Sequence, residues 1–216
     1  MKKATNAIIK QPNQDEESAL YAAGYRRIAG FDEAGRGALA GPVVAAAVIL
    51  PERPAFSWIS MVRDSKLLSE KTRESVFNLM QESGIEISIG IVPPQIIDSI
   101  NILNATKKAM KSALAALSQP PDYLLIDAVV LPGLRIRQKG IIGGDRTVLS
   151  IACASIVAKV TRDHIMLELH ATYPQYGFCN HKGYGTAHHL DCLRRHGASE
   201  VHRLTFAPVR DLARLI

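Results

Sequence analysis

The stretch that most constrains this chain is residues 29–50: Ala-Gly-Phe-Asp-Glu-Ala-Gly-Arg-Gly-Ala-Leu-Ala-Gly-Pro, then an unbroken apolar run from Val43 to Leu50. A run of that length is too short to span a membrane and reads as a buried strand. Ahead of it, Asp32 and Glu33 close a shorter apolar segment, and carboxylates beside a core strand are costly unless paired, hydrogen-bonded or bound to a metal. Neighbouring side chains of a strand point to opposite faces, so Asp32 and Glu33 cannot both face one site through side chains in a regular strand. Either the strand ends at Asp32 or Glu33 contributes partly through its carbonyl. The loop Gly35-Arg36-Gly37 offers bare backbone amides and one positive charge, and glycine lets a phosphate or sugar approach the main chain closely. A lone Gly-x-Gly is most often only a tight turn; the acids directly before this one favour a site. A dinucleotide-binding fingerprint is rejected, because Gly41 comes one residue late and Pro42 with the β-branched run does not open a helix.

With 216 residues, 47% of them hydrophobic, the chain forms one domain with a sizeable core. The reading divides it into an N-terminal arm (1–24), a catalytic core (25–170) and a C-terminal substrate-contacting helical region packed on the core (171–216). No apolar run approaches the ~18 residues of a transmembrane helix, and the lysines at positions 2 and 3 precede no secretory signal. Three cysteines with no Cys-x-x-Cys suit a reducing cytosol without structural disulfides, and a cytoplasmic location is expected; a monomer without membrane contact is expected as well. The net charge of +6 suits a polyanion partner but identifies none by itself.

Strands are expected over 27–33, 43–50, 85–92, 122–128 and 134–142, the third of these alternating cleanly. Helices are expected over 70–82, capped by Ser69, and over 94–100, 104–118, 148–170 and 187–196, with a short one at each end of the chain. Residues 1–24 suggest no function. Lys66 sits just ahead of the first of these helices, either as a solvated charge or as a phosphate contact. Lys107, Lys108 and Lys111 allow the same two readings, the solvated face being the commoner.

Asp127 ends an apolar segment as Asp32 does, and ligand sites in open α/β sheets favour that end of the strands. Asp145 lies in a glycine turn before the long helix. Hard oxygen ligands of this kind suit Mg²⁺ or Mn²⁺ and not zinc. Carboxylates held together repel unless a cation neutralises them. Two such ions can activate a water and stabilise a leaving oxygen in phosphodiester hydrolysis. Taken singly, Asp145 could simply cap the helix after it and Asp127 could simply start a turn; the joint pattern carries the weight.

The segment Phe31–Leu50 closely resembles the opening of bacterial ribonuclease HII. The blocks Asp64–Ser69, Asn104–Lys107, Leu125–Asp127, Ala154–Asp163, His181–Tyr184 and His202–Leu204 match in the family's order, and the resemblance covers roughly residues 25–210. It implies an α/β, RNase H-like fold: a central mixed β-sheet flanked by helices, with a small helical C-terminal region. It also implies a metal-dependent endonuclease that cuts the RNA strand of RNA–DNA hybrids. The family incises 5′ to single ribonucleotides in duplex DNA and leaves 3′-hydroxyl and 5′-phosphate ends, an activity of replication and repair. By resemblance Asp32, Glu33, Asp127 and Asp145 are the catalytic, metal-binding set for Mn²⁺ or Mg²⁺, with two ions when substrate is bound. The resemblance also assigns Gly35, Arg36 and Gly37 to the backbone around the ribonucleotide, with Tyr184 stacking near the sugar; Lys66, read as a phosphate contact, joins the expected substrate-binding residues. The 2′-hydroxyl distinguishes RNA from DNA, and close backbone amides can read it. The chain departs from the family at Gly143, where a lysine usually stands. Association with a replication clamp or polymerase is left open.

Asp163 rivals Asp145 for the fourth acid, but a surface ion pair with Lys159 one helical turn away explains it. A zinc-bound nucleic-acid module built on Cys179, His181, Cys192 and His196 is a weaker alternative, since the spacing matches no common finger. A DNA-only nuclease of the same fold is argued against by the glycine loop and Tyr184.

Overall fold

The apolar run forms β2 (Val43–Ile49), every residue of it buried, and β2 lies between β1 (Ile28–Ala34) and β3 (Glu86–Val92) in a sheet of order β3-β2-β1-β4-β5. The computed structural model describes residues 11–213. In it β1 pairs antiparallel with β2 and parallel with β4 (Tyr123–Asp127); β2 pairs antiparallel with β3, and β4 parallel with β5 (Arg137–Ile141). The sheet is therefore mixed, as the resemblance implies.

Both faces are covered, which is why β2 shows no alternation. On one face Ala34, Ala46 and Val48 pack with α2 (Glu70–Glu82) and α5 (Leu149–Thr172). On the other, Ala29, Phe31, Ala45 and Ala47 pack with α3 (Pro94–Ile100) and α4 (Ile102–Ala115). Gly30 lets α5 lie close on β1: a Cβ there would stand 2.3 Å from the carbonyl carbon of Ser150. A third cluster joins Leu39, Ala40 and Met166 to Phe178, Cys192, Leu193 and Val209. It seats α6 (Phe178–His181), α7 (Ala187–His196) and α8 (Ala207–Ala213) beside the glycine loop.

The elements lie where the periodicities put them, with shifts at the ends. Helix α4 starts two residues before the expected 104, because the Asn101 side chain accepts the Asn104 N–H. The strand expected over 134–142 shrinks to β5 at the sheet edge, where one neighbour holds it. The four-residue α6 has no sequence periodicity long enough to announce it.

The arm to which the sequence suggested no role includes α1 (Asp15–Ala22). Glu17 is 2% exposed, and its carboxylate accepts the Ser150 N–H at 2.8 Å. Helix α5 begins after Val148, which offers no capping side chain, so its end is capped from 133 residues away. Tyr21 donates to the Leu50 carbonyl at 2.9 Å, fixing α1 against the end of β2. The expectations for residues 1–10 and 214–216 fall outside the described residues.

Candidate active site

Parallel pairing of β1 with β4 runs to Phe31–Ile126, so the next positions are Asp32 and Asp127. Side chains at matched positions share a face, and neighbouring strands lie about 4.8 Å apart. The two acids thus stand side by side on adjacent strands, Asp127 at the end of β4 and Asp32 two residues before the end of β1. β4 stops at Asp127 while β1 continues, opening a notch at that edge.

The strand does not end at Asp32: it runs through Glu33 to Ala34, with Glu33 opposite Ala45 of β2. Glu33 nevertheless lines the same cleft as Ser65, Lys66 and Ser155, and its carboxylate feels the charges of Arg36, Asp127 and Lys66. Side-chain alternation alone does not predict this arrangement, because it treats the two faces as separate where the loss of β4 leaves them continuous.

The electrostatics record a concentration of negative charge. Asp32 is 5% exposed; burial first, then Glu33 and Asp127, hold its carboxyl well above the usual carboxylate range, against a lowering contact from the Ser155 hydroxyl. Burial also raises Glu33, opposed by Arg36, whose guanidinium lies 3.0 Å from Oε1. Its Oε2 is buried and, among the described residues, has no hydrogen-bond partner. Burial and the Asp145 charge raise Asp127, whose Oδ1 accepts the Gly144 N–H at 2.8 Å. That bond ties the end of β4 to the turn Gly144–Arg146, which presents Asp145, 5% exposed. Asp145 does not cap α5; it meets Lys66 Nζ at 3.3 Å and Arg146 Nε at 3.9 Å. Desolvation lowers the Lys66 ammonium, but the Asp145 and Asp64 charges outweigh it and raise it overall.

Four acids from three parts of the chain are thus drawn to one edge. Among the described residues, no three Asp, Glu, His or Cys side chains form a group that could hold a metal ion. The donor set still fits a hard divalent cation. It consists of carboxylate oxygens, three of them with raised proton affinity, and one buried oxygen unsatisfied. A cation there would relieve the repulsion and the orphaned oxygen together.

A cleft of about 250 Å³ adjoins the acids, lined by Glu33, Gly35, Arg36, Gly37, Lys66 and Tyr184 among others. The two glycines differ in kind. Gly35 has φ +92°, and a Cβ there would lie 2.0 Å from Arg162 Nε, so the fold itself demands glycine. Gly37 meets nothing within 4 Å and has no positive φ. Nothing in the fold requires glycine at that position, which leaves its bare backbone open to a ligand. Tyr184 is 37% exposed, with the Arg162 guanidinium 5.3 Å from its ring centre. Gly143 adopts φ +68°, and Arg146 fills the space beside it, where a Cβ would meet Nη2 at 2.5 Å. The family lysine is absent, and an arginine three residues on lies against the same turn.

Asp163 pairs with Lys159 at 2.7 Å and Arg73 at 3.9 Å, as the ion-pair reading has it, although the pair is buried and not on the surface. The zinc alternative finds no group of ligands among the described residues, and His181 is otherwise engaged. His181 Nε2–H donates to the Tyr176 carbonyl at 2.9 Å, and Nδ1 accepts the Gly183 N–H at 3.2 Å.

His189 and His202, to which the sequence assigned no role, shape the loop carrying Tyr184. His189 Nδ1–H donates to the Tyr184 carbonyl at 3.0 Å, leaving Nε2 to accept from His202 Nε2–H at 3.1 Å; His202 Nδ1 accepts the Ser199 N–H at 3.0 Å. Every ring nitrogen of the pair is used only while both rings are neutral. Burial pulls each down to about 4. Between pH 6.5 and about 4 the unfolded chain therefore binds protons that the native state excludes, so this contribution to stability is lost as pH falls through that window. The cost is on the order of 3 kcal/mol per ring, shared within the pair. The raised acids work in the opposite sense, so the comparison must be with a variant. Melting in chelator from about pH 7 to 4 should cost wild type several degrees more than His202→Gln. Parallel curves would remove the imidazoles from the acid response.

A family model described as Ribonuclease HII matches residues 29–209. A protein named Ribonuclease HII from Dehalococcoides mccartyi strain 195 is 49% identical over 201 residues, 93% of this chain and 95% of that one. One of the same name from Desulfitobacterium hafniense DCB-2 is 55% identical over 195 residues, 90% of this chain and 74% of that one. Among solved structures, the ribonuclease H2 of Pyrococcus horikoshii OT3 superposes with a TM-score of 0.72 at 25% identity, covering 88% of this chain and 98% of that one.

Proposed function

The chain belongs to the ribonuclease HII family and is a ribonuclease H acting on RNA–DNA hybrids, and from that footing we propose that it also incises duplex DNA on the 5′ side of a single embedded ribonucleotide, leaving 3′-hydroxyl and 5′-phosphate ends. The observation that carries this reading is the meeting of Asp32 and Asp127 on adjacent strands beside a cleft lined by the open backbone of Gly37. A site for phosphodiester hydrolysis needs concentrated negative charge to recruit cations, and a reader of ribose needs unobstructed main chain.

Asp32, Glu33, Asp127 and Asp145 would hold Mg²⁺ or Mn²⁺. When bound, such ions supply an activated water and stabilise the leaving oxygen. The chain's own residues do the rest. The Gly35–Gly37 segment receives the sugar–phosphate backbone at close range, and Gly37 admits it without a side chain in the way. Tyr184, held from behind by His189, offers a ring face to the neighbouring deoxyribose. Lys66, with a side chain 77% exposed, releases Asp145 to incoming cations and turns its ammonium to a substrate phosphate.

The test is nicking of a duplex carrying one ribonucleotide against the same all-DNA duplex, with Mg²⁺, with Mn²⁺ and with chelator. A metal-dependent cut 5′ to the ribonucleotide and an intact all-DNA duplex are expected. Cutting of both, or metal-independent cutting, would overturn the reading. Lys66→Ala should weaken binding and flatten the dependence of log affinity on log salt by about 0.9. An unchanged slope would return Lys66 to a solvated charge.

A further inference from the structure

Arg162 and Arg203 are the largest fully buried side chains among the described residues, both 0% exposed. Among the described residues neither makes an ion pair with a carboxylate. Their hydrogen bonds go to backbone carbonyls, and each guanidinium also lies against one aromatic ring, Arg162 at 5.3 Å from the centre of Tyr184 and Arg203 at 5.1 Å from that of Phe206. Arg162 donates to Pro42 at 3.0 Å, Ala40 at 3.0 Å and Lys182 at 2.9 Å. Arg203 donates to Gly41 at 3.1 and 2.9 Å, to Pro42 at 3.1 Å and to Arg36 at 2.9 Å. Burying two cations without counter-ions is expensive, and a fold seeking only stability would do better with apolar groups of similar volume. All but one of these carbonyls belong to the loop 36–42 that walls the cleft.

The direction of those bonds has a consequence on the other side of the loop. In a trans peptide the C=O of one residue and the N–H of the next point in opposite directions. With the Arg36 carbonyl drawn inward onto Arg203, the Gly37 N–H is turned outward. Among the described residues that N–H has no acceptor, and the space about Gly37 is open. A cation on the carbonyl also polarises the peptide and strengthens its N–H as a donor. Burial, and then Arg162, pull Arg203 down to about 9, which leaves it charged at neutral pH.

We propose that Arg203, braced by Arg162, is a specificity-positioning residue: by holding the Arg36 carbonyl it presents the Gly37 amide as a fixed donor to the ribose hydroxyl or its adjoining phosphate oxygen. The inference rests on the reading that this cleft takes a ribonucleotide-bearing duplex. The ligand touches neither guanidinium. Their charge lies beneath the loop, where solvent ions screen it little.

The test measures the ratio of dissociation constants for the all-DNA duplex and the single-ribonucleotide duplex, with Ca²⁺ in place of Mg²⁺ to prevent turnover. Wild type, Arg203→Lys and Gly37→Ala are compared, each first checked by melting. Lysine keeps the charge but cannot reach three carbonyls. The ratio is expected to fall about tenfold in Arg203→Lys with no change in salt slope, because a buried cation releases no counter-ion from the duplex. Gly37→Ala, whose methyl has room in the free protein, should lose the ratio as well. A merely structural arginine would lower the active fraction and leave the ratio alone. A ratio kept in folded Arg203→Lys but lost in Gly37→Ala overturns the proposal while the functional reading stands. No preference in wild type fails that reading instead. Should Arg203→Lys not fold, the decision passes to wild type. The Arg203 Nε–H resonance should shift on adding the ribonucleotide duplex and not the all-DNA one, and an unmoved resonance overturns the proposal.

Discussion

Asparagine in place of Asp127 is expected to lower nicking by on the order of 10³-fold or more, with the melting temperature unchanged or slightly raised. The substitution preserves shape. The amide would keep Oδ1, the atom through which Asp127 accepts the Gly144 N–H and ties the end of β4 to the turn bearing Asp145. What is lost is one negative charge at the point where Asp32, Glu33 and Asp145 converge, and with it an anionic oxygen for a divalent cation. Nicking of the single-ribonucleotide duplex over a range of Mg²⁺ and Mn²⁺ concentrations, beside a melting curve in chelator, separates the two effects. Cleavage retained at more than a tenth of the wild-type rate would take Asp127 out of the metal site. A collapse of melting temperature would make the lost activity uninformative about chemistry.

Asp32→Asn should separate activity and stability further. Burial and the neighbouring carboxylates raise Asp32 well above its usual range, so its charged form is destabilising in the metal-free protein at neutral pH. For an acid whose native affinity for protons exceeds its unfolded value, stability is highest below the unfolded value and declines as pH rises through the native one. Asparagine removes that penalty at neutral pH and keeps Oδ1 for the Glu33 N–H, which Asp32 accepts at 2.8 Å. The expected gain is about 1–2 kcal/mol, or roughly 4 °C in chelator, alongside loss of nicking comparable to that of Asp127→Asn. The gain should shrink as pH falls and the wild-type carboxyl takes up a proton. Saturating Mg²⁺ should reverse the order, because only wild type gains by binding it. A variant less stable than wild type in chelator would mean that the charge is already compensated within the protein.

Much of this was legible in the residues. Val43–Leu50 read as a buried strand and the alternation of 85–92 as a strand, although in the fold it is Ser88 and Gly90 that are buried against α4 while Ile91 is 48% exposed. Ser69 capped its helix as read, the Ser69 oxygen accepting the Thr72 N–H at 3.1 Å. The acids at the ends of two apolar segments marked the active edge, because strand ends in α/β sheets face the same way when the strands are parallel. Less legible was everything that depends on a second element arriving from far off. Glu17 looked like part of a polar arm, yet it caps α5. Asp145 could have been simply a cap for α5 instead of one of the acid set, and only the fold shows it facing Lys66. Gly35 and Gly37 looked equivalent, yet one is glycine for Arg162 and the other is free. Glu33 escaped the alternation rule because the strand beside it had ended.

The sequence by itself determined the main strands and helices, the candidate acids and the loop that accompanies them. Those follow from local rules: side-chain period, capping chemistry, and the cost of placing a carboxylate beside apolar neighbours. Tertiary structure alone decided which buried charges are answered and which are not. Among the described residues Asp163 finds Lys159 and Arg73, Arg162 and Arg203 find carbonyls and an aromatic ring but no carboxylate, and Glu33 Oε2 finds no hydrogen-bond partner. The physical reason is that a charge's cost is set by whatever lies within a few ångströms of it in space. Distance along the chain says almost nothing about that once the sheet has closed.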